Sequence, residues 1–461
     1  MKGTGTRKTL ALLGAAVLIL AAGCGNPWLR ELFKDPAPQV VQKPEPPPPP
    51  AVPGTLILRV DAGADKAFTI PANNVWAYDW YIDWGDGTAE EHETGTGALD
   101  AGIGHTFPAA ERYYIQIRAA GNTGHAAFGF RNNTSGSNAA ANKQKLLKAL
   151  GYLAENTSVT AFPSAWAYCF YQCTNLNEVS ATLLPDVPNG TSDVFSQMFR
   201  GCRSLAALPA GFILPAVPNG TSDIFSFMFS GCSSLAALPA GFTLPAVPNG
   251  TSDIFADMFF YCNSLAARPE GLSLPDVPNG TSDIFADMFF NCSSLAALPE
   301  GFTLPAVPNG TSGIFFRMFY GCSSLAALPE GFTLPAVPNG TSDIFADMFR
   351  DCSKLAVLPA GFTLPAVPNG TSGIFSLMFY NCSSLAASIN DLITVQIMDE
   401  TRLNASSFNM SSTFSGCGGL TGFAQAAIQT GFGGAVPSSR RYTFYGCTGL
   451  SDHGSIPANW K

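Results

Sequence analysis

The sequence predicts a β-rich chain: a small β-sandwich followed by an α/β solenoid of about ten coils, each a strand and a helical turn. Three observations predict it. Cysteines fall at 173, 202, 232, 262, 292, 322, 352, 382, 417 and 447, so one unit recurs about every 30 residues. A fixed period of that size marks a solenoid, because one unit cannot bury its apolar face alone and stacked units can. Upstream, short alternating apolar runs are punctuated by Gly, Pro, Asn and Asp, the pattern of a sandwich. The 461 residues are 46% hydrophobic and 12% charged, with 46 Gly and 35 Pro, which favours many turns over long helices.

The N-terminus reads as an export signal, residues 1–23. Lys2, Arg7 and Lys8 precede an apolar stretch from Leu10 to Ala22, too short for a good membrane span and suited to a signal peptide. The run Leu20-Ala21-Ala22-Gly23-Cys24 resembles a bacterial lipobox, which implies a diacylated Cys24 as mature N-terminus and membrane anchor. An ordinary secretory signal beside an incidental Cys is the alternative. Residues 24–53 form the tether, whose prolines, including Pro46 to Pro50, favour extended polyproline II over helix or sheet.

Residues 54–135 read as the sandwich. Strands are expected at Thr55–Val60, Lys66–Ile70, Tyr78–Trp84 and Tyr113–Ile117, with a tight turn at Asp83-Trp84-Gly85-Asp86-Gly87-Thr88. The strings YIDWGDGT, HTF and RYYIQIRAAG resemble a PKD-like (polycystic-kidney-disease-like) module of immunoglobulin type. That resemblance implies a spacer or binding unit of a surface protein. Asp83, Asp86 and His105 invite a metal or catalytic reading, but turn and strand roles explain them better. Residues 136–160 read as a helical cap or linker, with Leu146, Leu147, Leu150 and Leu153 on one helical face.

Residues 161–461 read as the solenoid. In each unit a Ser-Leu-Ala-Ala-Leu piece (Ser294 to Leu298) suits a parallel strand, Pro-Asn-Gly (Pro308 to Gly310) makes a turn, and Thr-Ser-Asp begins a helical turn capped by Ser282 or Asp283. The pairs Ile284/Met288 and Phe285/Phe289 then face inward. The recurring string MFxxCxSLxxLP resembles the BspA-type leucine-rich repeat of bacterial surface antigens. Arg268 stands where the second repeat Leu belongs, and residues 386–412 break the period. The resemblance implies a surface protein that binds host matrix, epithelium or other bacteria.

The chemistry excluded is as informative. Residues 160–461 hold 10 Lys+Arg against 19 Asp+Glu, which argues against nucleic acid. One Cys per coil and almost no His is the wrong spacing for zinc, so the cysteines read as buried thiols, with Cys169 and Cys173 the one local pair able to bond. No catalytic residue, metal or cofactor is expected. The recurring Asp257, Asp287 and Asp347 read as solubilising, and the Asn-Gly-Thr triplets from Asn189 to Asn369 as turns rather than glycosylation acceptors.

Variation concentrates just after each conserved Phe. Arg200, Phe260, Tyr261, Phe316, Arg317, Tyr320, Arg350 and Tyr380 are the candidate partner-binding residues, aromatic and Arg side chains being typical interface anchors. Drift at tolerant exposed positions is an equal alternative. The expected function is a lipid-anchored adhesin or antigen of the bacterial cell surface, outer membrane or envelope, which binds the membrane through its lipid and host or bacterial surface proteins through its repeats. The second expectation is a glycan-binding or nutrient-capture lipoprotein using Trp76, Trp80 and Trp84 as a stacking platform.

Overall fold

Strand β1 (Thr55–Asp61) lies at the centre of the N-terminal module. It pairs antiparallel with β6 (Arg112–Ala119) on one side and β7 (Leu146–Gly151) on the other. The computed structural model describes residues 47–461 except 73–76, 97–101, 121–124, 126, 131–136, 138, 154–165, 188, 267–271, 369, 395–396, 398–409 and 433–439. The signal segment with Cys24, the tether up to residue 46, Trp76, Arg268 and Asn369 lie outside the described residues. Residues 49–461 form one unit.

With β3 (Ala77–Asp83), β4 (Glu91–Thr96) and β8 (Glu178–Val179), these strands make a six-stranded sheet in the order β4-β3-β6-β1-β7-β8. The strands β2 (Ala67–Pro71) and β5 (Gly102–Thr106) form a second, two-stranded sheet. Alternation places Leu56, Leu58, Val60, Ile82, Ile115 and Ile117 in the core. The tight turn forms as expected: Gly85 takes φ 73°, its N–H donates to Asp83 Oδ1 at 2.9 Å, and a Cβ there would collide with the Tyr114 carbonyl. Trp80 and Trp84 are each 0% exposed, so they are core residues and not a glycan-stacking platform.

The expected helical face from Leu146 to Leu153 is corrected. Helix α1 (Ala140–Lys145) stops where β7 begins. A six-residue helix gains little on its own. As a strand, residues 146–151 satisfy two ladders and bury Leu146 and Ala149. Residues 140–151 are therefore a short helix and a strand, not one helix. Through that strand the module's sheet continues into the first repeat, where Ala149 pairs parallel with Val179.

The repeat itself departs from expectation in an informative way. Residues 283–292 form no helix. Ala286, Met288, Phe290 and Cys292 donate their N–H groups three residues back, while Asp283, Phe285, Asp287, Phe289 and Asn291 donate theirs to the next repeat. The result is a ribbon of overlapping β-turns in which every second amide stacks the coils. Asp283, Asp287 and Asn291 take left-handed φ of 52°, 52° and 54°. Alternate turns of such a ribbon require positive φ at their third residue, which Asp, Asn and Gly tolerate. The inward pairs Ile284/Met288 and Phe285/Phe289 are buried as expected, but on a repeat of four residues, not 3.6.

The Ser-Leu-Ala-Ala-Leu strand is likewise reduced to single parallel bridges, such as Ala297 to Ala327, because the ribbon already carries the stacking hydrogen bonds. Asn-Gly turns form as expected, with Gly280 at φ 72° and the Thr281 hydroxyl donating to the Pro278 carbonyl at 2.9 Å.

Inside, side chains stack in columns. Phe289 and Phe319 lie 5.7 Å apart at 4°, and Phe319 and Phe349 lie 5.6 Å apart at 7°. The Cys322 thiol donates to the Phe289 carbonyl of the preceding coil at 3.2 Å, and the same bond recurs from Cys232 to Cys382. The eleven cysteines among the described residues are buried and form no disulfide, including Cys169 and Cys173. Burial pushes the thiols of Cys232 and Cys292 up to about 12, so they are inert as nucleophiles.

Candidate functional site

The turn ribbon turns two kinds of position outward. Asp257, Asp287, Arg317 and Asp347 occupy one column, each at left-handed φ. Phe260, Phe290, Tyr320, Arg350 and Tyr380 occupy a second column three residues on, half-buried. Residues three apart touch across the ribbon: Arg200 Nη1 donates to Gln197 Oε1 at 2.7 Å, and Arg350 Nη1 to Asp347 Oδ1 at 3.0 Å.

The second column is a continuous stack. Phe260 and Phe290 lie 4.6 Å apart at 12°, and Phe290 and Tyr320 lie 4.4 Å apart at 13°. The Arg350 guanidinium then sits 5.3 Å from the Tyr320 ring and 4.8 Å from that of Tyr380. Tyr261, 44% exposed, leans on Phe260 at 4.7 Å and on Phe290 at 5.8 Å. At the N-terminal end Arg200 lies 5.1 Å from the Phe227 ring; in the Tyr320 coil Arg317 lies 4.5 Å from Phe316. All eight sequence-predicted positions thus fall on one edge. Five of them join through Phe290 into one cluster, Phe316 pairs with Arg317, and Arg200 joins through Phe227.

Sequence reasoning missed Phe227 and misjudged the acids. Phe227 shares its column with Arg317 and Leu377, and that register was the available signal. Asp257, Asp287 and Asp347 are not solvating residues: all are at least half-buried, and Asp347 is only 6% exposed. Burial, then the charge of Asp287, raises Asp257 to about 7; burial raises Asp287 to about 6, against the pull of Arg317. Asp253 is raised to about 6 by burial and by the Asp223 charge. The edge therefore carries crowded, poorly compensated negative charge beside a hydrophobic stack.

In the module, His105 Nε2 lies 2.8 Å from Asp86 Oδ2, and its ring stacks on Trp84 at 4.5 Å. The other Asp86 oxygen accepts from the Thr88 amide at 3.0 Å and from its hydroxyl at 2.6 Å. The pair clamps a turn to a strand. Among the described residues no cluster of His, Cys, Asp or Glu is arranged to hold a metal ion, and no helix is long and apolar enough to cross a membrane.

No curated protein matches the chain. The BspA type leucine-rich repeat region matches in six copies over residues 164–414, more than half of the chain. Those residues include the turn ribbon and its outer edge, and the chain belongs to the family of BspA type leucine-rich repeat proteins.

Proposed function

We propose that the chain is a lipid-anchored bacterial surface adhesin that docks a protein partner along the outer edge of its repeat array. Cys24 serves as the anchor, the Pro-rich segment as tether and the PKD-like module as spacer. No reaction is assigned to it.

One observation carries the docking reading. Tyr261 adopts a left-handed φ of 58° where coils such as those of Gly231, Asn291, Gly321, Asp351 and Asn381 carry Gly, Asn or Asp. Phe227, Arg317 and Leu377 take 54°, 51° and 55° in a column that holds Asp257, Asp287 and Asp347 but also Tyr168, Gln197 and Tyr442. Bulky residues pay about 1–2 kcal/mol for that conformation, and such strain concentrates at functional sites. Drift would favour the unstrained residue types that nearly all other coils carry at the Tyr261 position, so the Tyr261 side chain is read as retained for what it presents outward. Family membership supports the same reading, since repeats of this type commonly bind proteins.

The test replaces Tyr261, Tyr320 and Tyr380 by Ala and measures adhesion of cells displaying the chain to epithelial cells and immobilised matrix proteins. Adhesion is expected to fall at least tenfold. Loss of the stacking contacts of Tyr320 and Tyr380 is expected to lower the melting temperature by a few degrees without unfolding the array. Undiminished adhesion with a folded chain refutes the reading.

A further inference from the structure

The chain's own cations show what this edge accepts. Arg200, Arg317 and Arg350 each lie against an aromatic ring, at 5.1, 4.5 and 4.8 Å. Arg350 is also bonded to the carboxylate three residues before it, Asp347. Two coils repeat that arrangement without the cation. At Asp257/Phe260 and Asp287/Phe290 the acid and the ring occupy the same two columns as Asp347 and Arg350, with Tyr261 exposed beside them. Neither carboxylate makes an ion pair or side-chain hydrogen bond among the described residues. The charges facing them are each other, Asp253, Asp283 and Asp347 as acids, Arg317 as the charge that acts most on Asp287, and Arg200 and Arg317 on Asp257.

We propose that this stretch of the edge receives an arginine-bearing segment of the protein partner, a guanidinium lying against Phe260, Tyr261 and Phe290 and pairing with Asp257 and Asp287. The proposal rests on the docking reading above and names the partner's chemistry. Charge complementarity selects a cation, because Asp253, Asp257, Asp283, Asp287 and Asp347 face this stretch against only Arg200 and Arg317. The rings select arginine over lysine: a planar, weakly hydrated guanidinium stacks on aromatic surface and bonds carboxylates in a fork, whereas an ammonium is a hydrated point charge.

Pairing also has a proton signature. Asp257 and Asp287 are partly protonated near neutral pH. A bound guanidinium favours their ionised forms, so binding at pH 6.5 releases protons.

The experiment titrates a peptide of alternating Arg and Ser into the purified chain by calorimetry, in two buffers of different ionisation heat. A Lys-Ser peptide of equal length is the comparison. Binding of the Arg peptide with proton release is expected. The Lys peptide is expected to bind at least threefold more weakly, and D257N/D287N to bind the Arg peptide at least tenfold more weakly without proton release. Asn suits these positions, since Asn291 and Asn381 already take left-handed φ in the ribbon. F290L provides a second variant, expected to erase the preference for Arg over Lys.

Equal binding of both peptides, or binding indifferent to D257N/D287N, overturns the proposal. So does calcium chloride alone binding with the same sensitivity to D257N/D287N. Loss of adhesion in the tyrosine variant alongside a failed Arg peptide removes the arginine assignment and leaves the docking reading. The converse pair of results does the opposite.

Discussion

In the β module each strand residue pairs with residues far off in sequence: Ile57 faces Gln116 on one side and Leu150 on the other. In the array each ribbon residue reaches only one repeat on, Phe285 to Ile314 and Phe289 to Met318. The side chains follow suit. The module carries individual ion pairs, Lys145 to Asp65 at 2.7 Å and Arg118 to Glu90 at 3.1 Å, each made once. The array repeats one Phe contact and one thiol-to-carbonyl bond coil after coil. A module residue is fixed by its unique neighbours, whereas an array residue is fixed by copies of itself. Inward array positions are therefore uniform, and only outward ones are free to differ.

The sharpest way to break the comparison is to remove one large ring from each region. Trp84 is fully buried and stacks on His105 at 4.5 Å; Phe319 is fully buried between Phe289 and Phe349. Both Trp84→Ala and Phe319→Ala are expected to cost about 3–5 kcal/mol. The consequences should differ. Trp84→Ala melts the module ahead of the array. Phe319→Ala divides the array, because stability in a nearest-neighbour stack is a sum of local interfaces. Hydrogen exchange resolves the two. Protection lost only in residues 55–119 is expected for the first, and lost around coils 289–349 for the second. Uniform loss in both variants would show one cooperative unit and end the distinction.

Much of this architecture was legible in the sequence. The 30-residue phase, the inward Ile-Phe and Met-Phe pairs and the single core Cys are unambiguous, because repetition averages away local noise. The backbone solution was not legible. Inward residues in adjacent pairs every four positions fit a helix nearly as well as a turn ribbon. The signal that separates them is Asp, Asn or Gly at every fourth outward place, at 283, 287 and 291 in one coil, where left-handed φ is needed. Leu146 to Leu153 failed for a related reason: helical spacing cannot reveal that β1 offers an unpaired edge nearby. The binding edge was legible as variation against a constant background. The half-burial of Asp257 and Asp287 was not, because it depends on neighbours one coil away.

pH should move the two regions in opposite directions. Burial and like charges raise Asp253, Asp257 and Asp287 to about 6, 7 and 6 in the array. The folded array then binds more protons than the unfolded chain between the ordinary Asp value near 4 and about pH 7, so it loses stability as pH rises through that window. In the module, burial opposes but the hydrogen bonds from Thr88 and His105 hold Asp86 below its usual range, and Lys145 does the same for Asp65. Those contributions are present above the unfolded value and are lost as pH falls below it. Discounted for partial solvent screening, the array acids amount to about 2 kcal/mol, or roughly 5 °C in melting temperature between pH 5 and pH 8. Melting followed region by region is expected to place the array's maximum on the acid side of the module's. Parallel pH profiles would contradict it.

The smallest effect addresses why the ribbon exists at all. If Asp287 is present for its backbone, at φ 52°, then Asp287→Ala should cost about 1–2 kcal/mol, since an alanine gains nothing from the left-handed region. Asp287→Gly should be nearly neutral, the relief of φ strain offsetting the roughly 0.5–1 kcal/mol entropy cost of glycine. Asp287→Asn should be neutral at low pH and stabilising above about pH 6, where the native carboxylate ionises in its half-buried site. A loop residue without conformational duty would show none of this ordering, and all three variants would fall within about 0.5 kcal/mol of the parent. Chemical denaturation of the three variants at pH 5 and pH 8 therefore separates the backbone role of the column from its charge. A charge role alone predicts that Ala and Asn behave alike at both pH values. A backbone role predicts that Ala stays the least stable at both.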